Sequence, residues 1–258
     1  MNFLFLRGLT RDQRHWDGFA ESLPACYGPD AVSRFIDLPG TGTRAHLCSP
    51  ITVEGIAAQV LTELGDGPSK PNHLVAMSLG AMVVLSKIET FLSLFDSITL
   101  INTSDRGRST LAERFNLKVG LKTVLPLLRF SPVLIEETIL QATSRKALQS
   151  KAHYDSELQK RVKWFKECPF TRQTFLRQAA AGARFSAGKK ISAPARVQFL
   201  ASQGDQLVSW RCSERLAHDY GSTFKVHPSA GHDLPLDDPE WTREMIVSFI
   251  RNIKTQVP

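Results

Sequence analysis

The chain has 258 residues, 42% of them hydrophobic and 22% charged, with a formal net charge of +7. This suits one large α/β domain, or a core with an inserted unit, and excludes a disordered or low-complexity chain. No run is long and apolar enough to cross a bilayer, and residues 1–9 lack the flanks of an export signal, so a cytoplasmic protein without stable membrane insertion is expected.

In chain order, Asn2 to Leu6 is an apolar run ended by Gly8, and it predicts a first strand. Asp12 to Leu23 has Trp16, Phe19, Ala20 and Leu23 at helical spacing. Ser33 to Leu38 predicts a strand stopped by Pro39-Gly40, and Thr52 or Val53 to Leu64 a helix. Asn72 to Met77 predicts a strand, Leu79 to Phe91 a helix and Asp96 to Ile101 a strand. Alternation of this kind implies an α/β fold with a mostly parallel sheet flanked by helices, and near-continuous apolar strands suit a sheet covered on both faces.

The pattern changes at residue 106. Residues 106–190 hold 18 Lys and Arg against 6 Asp and Glu, leaving 14 against 19 elsewhere. No strand is predicted there. Helical pieces are expected around Leu111 to Leu128, Pro132 to Thr143, His153 to Phe165 and Phe170 to Arg184. Alternation then resumes with a strand at Ala195 to Ala201, a helix at Ser209 to Tyr220, a strand at Thr223 to His227 and a helix at Trp241 to Ile253. Residues 1–105 and 191–258 therefore read as a core, and 106–190 as an inserted basic helical cap.

Three loops carry candidate chemistry. Val75-Ala76-Met77-Ser78-Leu79-Gly80-Ala81 places a serine between a strand and a helix, among small residues that a sharp turn demands. That is the G-x-S-x-G nucleophile elbow with Ala76 in the first glycine position. The bland reading is a serine that caps a helix. A serine needs a base, and His232 lies in Pro228-Ser229-Ala230-Gly231-His232-Asp233, after the last strand. His227 is a weaker competitor; His15, His46, His73, His153 and His218 read as structural or exposed. The imidazole needs a carboxylate, which Asp205 can supply from the loop Ser202-Gln203-Gly204-Asp205, although an Asx turn would explain the same residue. Asp105 is the fallback acid. Backbone N–H groups of Leu79 and Leu9 are the candidate oxyanion donors, with Arg7 and Gly8 as candidate substrate contacts. Four scattered cysteines, Cys26, Cys48, Cys168 and Cys212, argue for reduced thiols and against a metal site.

These pieces resemble the α/β-hydrolase superfamily. The match rests on Phe5-Leu6-Arg7-Gly8-Leu9, Ile36-Asp37-Leu38-Pro39-Gly40-Thr41-Gly42, the elbow at Ser78, Gly204-Asp205 with Val208, and Gly231-His232, in the chain order serine, acid, histidine. Within it, the chain looks most like small capped carboxylesterases such as the pimeloyl-carrier-protein methyl ester esterase. The resemblance implies an α/β-hydrolase fold with an inserted helical cap, and a serine hydrolase cleaving a carboxylic ester or thioester through an acyl-enzyme on Ser78, with no cofactor and no metal. Two alternatives stay open: a lyase or C–C bond hydrolase resembling the menaquinone-pathway lyase, and a non-catalytic ligand-binding protein. The family usually has His where this chain has Arg7, and the lyase carries an Arg where this chain has Ala81-Met82.

A small-molecule ester or thioester is the expected partner. The basic cap admits an acidic carrier protein or another anionic partner, though a solvated basic face explains it equally. Nucleic-acid binding is not expected, because no recognised motif accompanies the charge. Leu125, Leu127, Leu128 and Phe130 could line an acyl pocket, or simply pack, as Trp164, Phe165, Phe170 and Phe175 are expected to.

Overall fold

Alternating strands Asn2–Leu6 (β1), Val32–Phe35 (β2), Asn72–Met77 (β3), Ser97–Ile101 (β4), Val197–Ser202 (β5) and Thr223–His227 (β6) form one sheet in the computed structural model, which describes residues 1–66, 72–116, 119, 122, 129–188 and 190–256. The order is β2-β1-β3-β4-β5-β6, and every ladder is parallel. The chain runs outward from β1 to β2, then returns past β1 to build β3 to β6 in succession. The reversal lies between β1 and β3, and parallel sheets place their ligand crevices beyond the C-terminal ends of strands at such a point.

The two-residue period of the strands sorts the core into two faces. Leu4, Leu6, Leu74 and Ala76 point to one side, where they pack with Ile56 and Val60 of α2 (Val53–Leu64) and Val83 and Val84 of α3 (Leu79–Ser86). Phe3, Phe5, Val75 and Met77 point to the other, against Trp16, Phe19 and Leu23, and against Ile246 and Ile250 of the last helix. The edge strands β2 and β6 instead alternate exposed and half-buried residues along most of their length.

Two predicted helices are broken. The segment from Asp12 becomes a 3-10 turn, Gln13–Trp16, followed by α1 (Phe19–Ala25), because Asp17 adopts φ 47° between them. The helix expected from Leu79 to Phe91 is two, α3 and α4 (Ile88–Leu94), separated at Lys87, whose φ −135° and ψ 38° cannot continue a helix. The strand expected over Ser33 to Leu38 ends at Phe35.

Residues 106–190 contain helices and no strand among the described residues. These are α5 (Leu111–Arg114), α6 (Pro132–Thr143), α7 (Lys151–Glu167) and α8 (Arg172–Arg184). Phe165 and Phe170 pack with Ile135, Phe130 and Phe175 in a small core of their own. Ala181, Phe185 and Ala187 join the main core beside the sheet. Leu125, Leu127 and Leu128 lie outside the described residues. After β5 come α9 (Trp210–Tyr220), β6, α10 (Leu234–Asp237) and α11 (Pro239–Gln256).

Part of the positive charge of this insert is committed to partners within the chain. Arg114 donates to the carbonyls of Gly182 and Ala183. Arg108 pairs with Asp105 and Asp219, Lys160 with Asp17 and Glu157, and Arg161 with Glu157 and Asp233. Among the described residues no helix is long and apolar enough to cross a membrane, and no cluster of three or more His, Cys, Asp or Glu side chains could hold a metal. All four cysteines are free.

Candidate active site

Ser78 closes β3 and opens α3. Its backbone takes φ 55° and ψ −118°, a conformation that costs a non-glycine residue about 1–3 kcal/mol and persists only where the surroundings impose it. Two constraints impose it here. The Ser78 N–H donates to the Ile101 carbonyl at 2.8 Å. Gly80 lies so close to the end of β1 that a β-carbon there would come 2.5 Å from the Arg7 carbonyl oxygen and 2.7 Å from that of Leu6. The glycine of the elbow is therefore required by the approach of α3 to β1. Ala76, in place of the other glycine, is fully buried and accommodated.

The loop after β1 backs onto this serine. A β-carbon on Gly8 would come within 2.9 Å of Ser78 Cβ, so the two residues face each other across the β1–β3 switch point. The following turn is held from the insert: the Thr10 N–H donates to Oε1 of the buried Gln178 on α8 at 2.8 Å, and Gln178 Nε2 donates to the Pro39 carbonyl at 3.1 Å. This fixes the backbone on which Leu9 rides.

His232 lies in the loop after β6, almost wholly buried, and its Nδ1–H donates to Asp205 Oδ2 at 2.6 Å. Asp205 comes from the loop after β5. Its other oxygen accepts from the N–H groups of Leu207 (2.7 Å) and Val208 (3.0 Å). One carboxylate oxygen thus makes the Asx turn and the other faces His232. Asp105, the fallback acid, is occupied by Arg108 and by the Ala187 N–H. His227 accepts from Ser229 and Ala230 N–H at Nδ1 and donates from Nε2 to Asp238, which shapes the turn leading to His232. His73 is buried between Ser97 and Thr99.

Two consecutive residues beyond β4 draw the serine and histidine segments together. Asn102 Nδ2 donates to the His232 carbonyl at 2.7 Å, and its Oδ1 accepts from Ser202 N–H. Thr103 Oγ1 donates to the Ser78 carbonyl at 3.3 Å. Neither was singled out from the sequence; the available signal was a polar pair directly after an apolar strand.

Arg7 is expected as a substrate contact, but its guanidinium is engaged elsewhere. It makes a bidentate bond to Asp233 and lies 4.8 Å from the centre of the Trp16 ring. Arg161 of α7 reaches the same carboxylate at 3.4 Å. Burial would raise the Asp233 carboxyl, but the two guanidinium groups outweigh it and hold it well below the usual carboxylate range. A parallel pair, Arg11 with Glu136 of α6, is also bidentate and buried, at 2.6 and 2.9 Å. The insert is therefore joined to the core next to His232 by desolvated ion pairs.

Ser78 and Gly8 at the switch point, with a buried Asp–His pair on the two following loops, define the class of α/β proteins whose site lies on the C-terminal rim of a parallel sheet. A family profile described as the alpha/beta hydrolase family matches residues 3–245, and the chain belongs to that family. A hydrolase from Pseudomonas aeruginosa is similar at TM-score 0.72 and 15% identity, covering 96% of this chain and 89% of that one. A thermophilic esterase from Thermogutta terrifontis is similar at 0.69 and 19%, covering 98% and 90%. The type II thioesterase of the borrelidin biosynthetic cluster is similar at 0.64 and 16%, covering 96% and 91%. Such identities speak to the fold alone. No curated protein matches the sequence.

Proposed function

We propose that the protein is a serine hydrolase of carboxylic esters or thioesters, with Ser78 as nucleophile, His232 as general base and Asp205 as the acid that orients the base. The observation that carries this reading is the 2.6 Å bond from His232 Nδ1 to a fully desolvated Asp205 oxygen. That bond fixes the imidazole tautomer that leaves Nε2 able to accept a proton, and it favours the imidazolium once formed. Ser78, half-buried on its strained turn, then attacks the carbonyl carbon as its proton passes to His232. The tetrahedral oxyanion is held by the N–H groups of Leu79 and Leu9, and its collapse expels the alcohol or thiol, protonated by His232. Water activated by the same base releases the acid. Gly8 leaves room for the substrate against Ser78, while Arg7 serves the site through Asp233. The kinship with structures named esterase and thioesterase agrees with this chemistry.

The test is hydrolysis of p-nitrophenyl esters of graded acyl length, with fluorophosphonate labelling in parallel. Ser78→Ala should abolish labelling and lower kcat by at least about 10⁴-fold, since a triad works as a unit. Unchanged turnover by Ser78→Ala would rule the mechanism out.

A further inference from the structure

We propose that Asp237 is a positioning residue for this reaction, holding the base loop to the insert in the register in which His232 meets Asp205. The inference rests on the serine-hydrolase reading above and adds a residue to it. Asp237 ends α10, five positions after His232, and is buried. Its carboxylate accepts from four donors. Oδ2 takes the N–H groups of Gly231 (2.6 Å) and Arg145 (2.8 Å). Oδ1 takes the Ser144 hydroxyl (2.5 Å) and the Lys146 N–H (3.2 Å).

Three of these donors belong to residues 144–146, directly after α6, and the fourth is the residue before His232. The residue after His232 is tied to the same place, because the Asp233 N–H donates to the Thr143 carbonyl at 2.8 Å. His232 is thus bracketed on both sides by bonds to one short stretch of the insert. That stretch also grips the acid loop: Arg145 Nε donates at 3.0 Å to the carbonyl of Gly204, which precedes Asp205. Residues 143–146 act as a common anchor for the loops carrying the base and the acid, and Asp237 is the group that joins the base loop to it.

The chemistry explains why the residue is an aspartate. Four N–H and O–H donors converge on two oxygens, and only a carboxylate accepts on both. Asparagine has the same shape but would set its own N–H₂ against two of those donors. A misplacement of about 1 Å in a catalytic group can cost on the order of 100-fold in rate. The loss should fall on kcat, because Asp237 serves the base and not the substrate.

The experiment compares wild type, Ser78→Ala, Asp237→Asn and Ser144→Ala on a p-nitrophenyl ester, with the thermal midpoint of each. The expected result is a folded Asp237→Asn protein whose kcat and fluorophosphonate labelling rate fall about 10- to 100-fold while KM changes less than about threefold. Ser144→Ala removes one donor from the insert side and should lower kcat by a smaller factor, again with KM retained. A folded Asp237→Asn enzyme with wild-type kcat, or a rise in KM alone, overturns the proposal. Should Asp237→Asn not fold, an unaltered kcat in Ser144→Ala overturns it instead. Unchanged turnover in Ser78→Ala overturns the hydrolase reading itself, a result distinct from the others.

Discussion

Arg7 and Asp233 are joined by two hydrogen bonds, of 3.1 and 2.7 Å, that cross from the residue before Gly8 to the residue after His232. Both side chains are withdrawn from water. The bond therefore braces the loop after β1 against the loop after β6. Removing one partner of a buried pair strands the other charge and costs about 3–5 kcal/mol, whereas replacing both with apolar residues can be nearly neutral. Arg161 still reaches Asp233 when Arg7 is lost, so Arg7→Met should destabilise by less than that full amount, and Arg7→Met/Asp233→Leu, which leaves Arg161 its Glu157 partner, should recover part of it. Urea unfolding of the two variants measures this, and equal losses in both would contradict the brace.

The two glycines at the switch point should respond oppositely to alanine. At Gly8 the new methyl meets a serine side chain, 2.9 Å from Cβ and 3.4 Å from Oγ. Gly8→Ala should fold, yet lose at least about tenfold in kcat/KM by displacing the proposed nucleophile. At Gly80 the methyl meets the main-chain carbonyls of Leu6 and Arg7 at the end of β1, which cannot step aside. Gly80→Ala should lose several kcal/mol of stability, on the order expected for overpacking or more. Thermal melts and ester kinetics on both proteins separate the effects.

A pH dependence follows from the buried histidines. Burial pushes His73, enclosed by Ser97 and Thr99, down to about 3 from an ordinary 6.5. Burial, aided by the Arg11 guanidinium, pushes His15 down to about 4. In both cases the unfolded chain binds a proton that the folded chain refuses. Stability is therefore full above about pH 6.5 and falls as the pH drops toward these lower values. By pH 4.5 His73 alone should account for about 2–3 kcal/mol of the loss. His73→Gln should flatten the unfolding free energy between pH 7.5 and 4.5 by that amount, and an unaltered slope would count against it.

The sequence was most legible where local pattern and tertiary demand agree. The strands Asn72–Met77 and Thr223–His227 and the helix Pro132–Thr143 lie at their expected bounds, since periodic segments flanked by turn residues leave few alternatives. The breaks at Asp17 and Lys87 were hidden, because a single unusual φ or ψ at an ordinary residue leaves no trace in composition. The same division runs through the site. Ser78, Asp205 and His232 each sit in a loop after a strand, where position alone suggests chemistry. Asn102, Gln178, Asp233 and Asp237 act through partners distant in the chain, and only the folded arrangement brings those partners within reach.

The backbone of Ser78 sets the proposed chemistry and durability against each other at one codon. Glycine occupies its φ of 55° without strain, so any search that rewards only heat resistance will be drawn to the substitution that deletes the hydroxyl. Directed evolution of this protein for robustness must therefore hold position 78 fixed, or screen for ester turnover at every round.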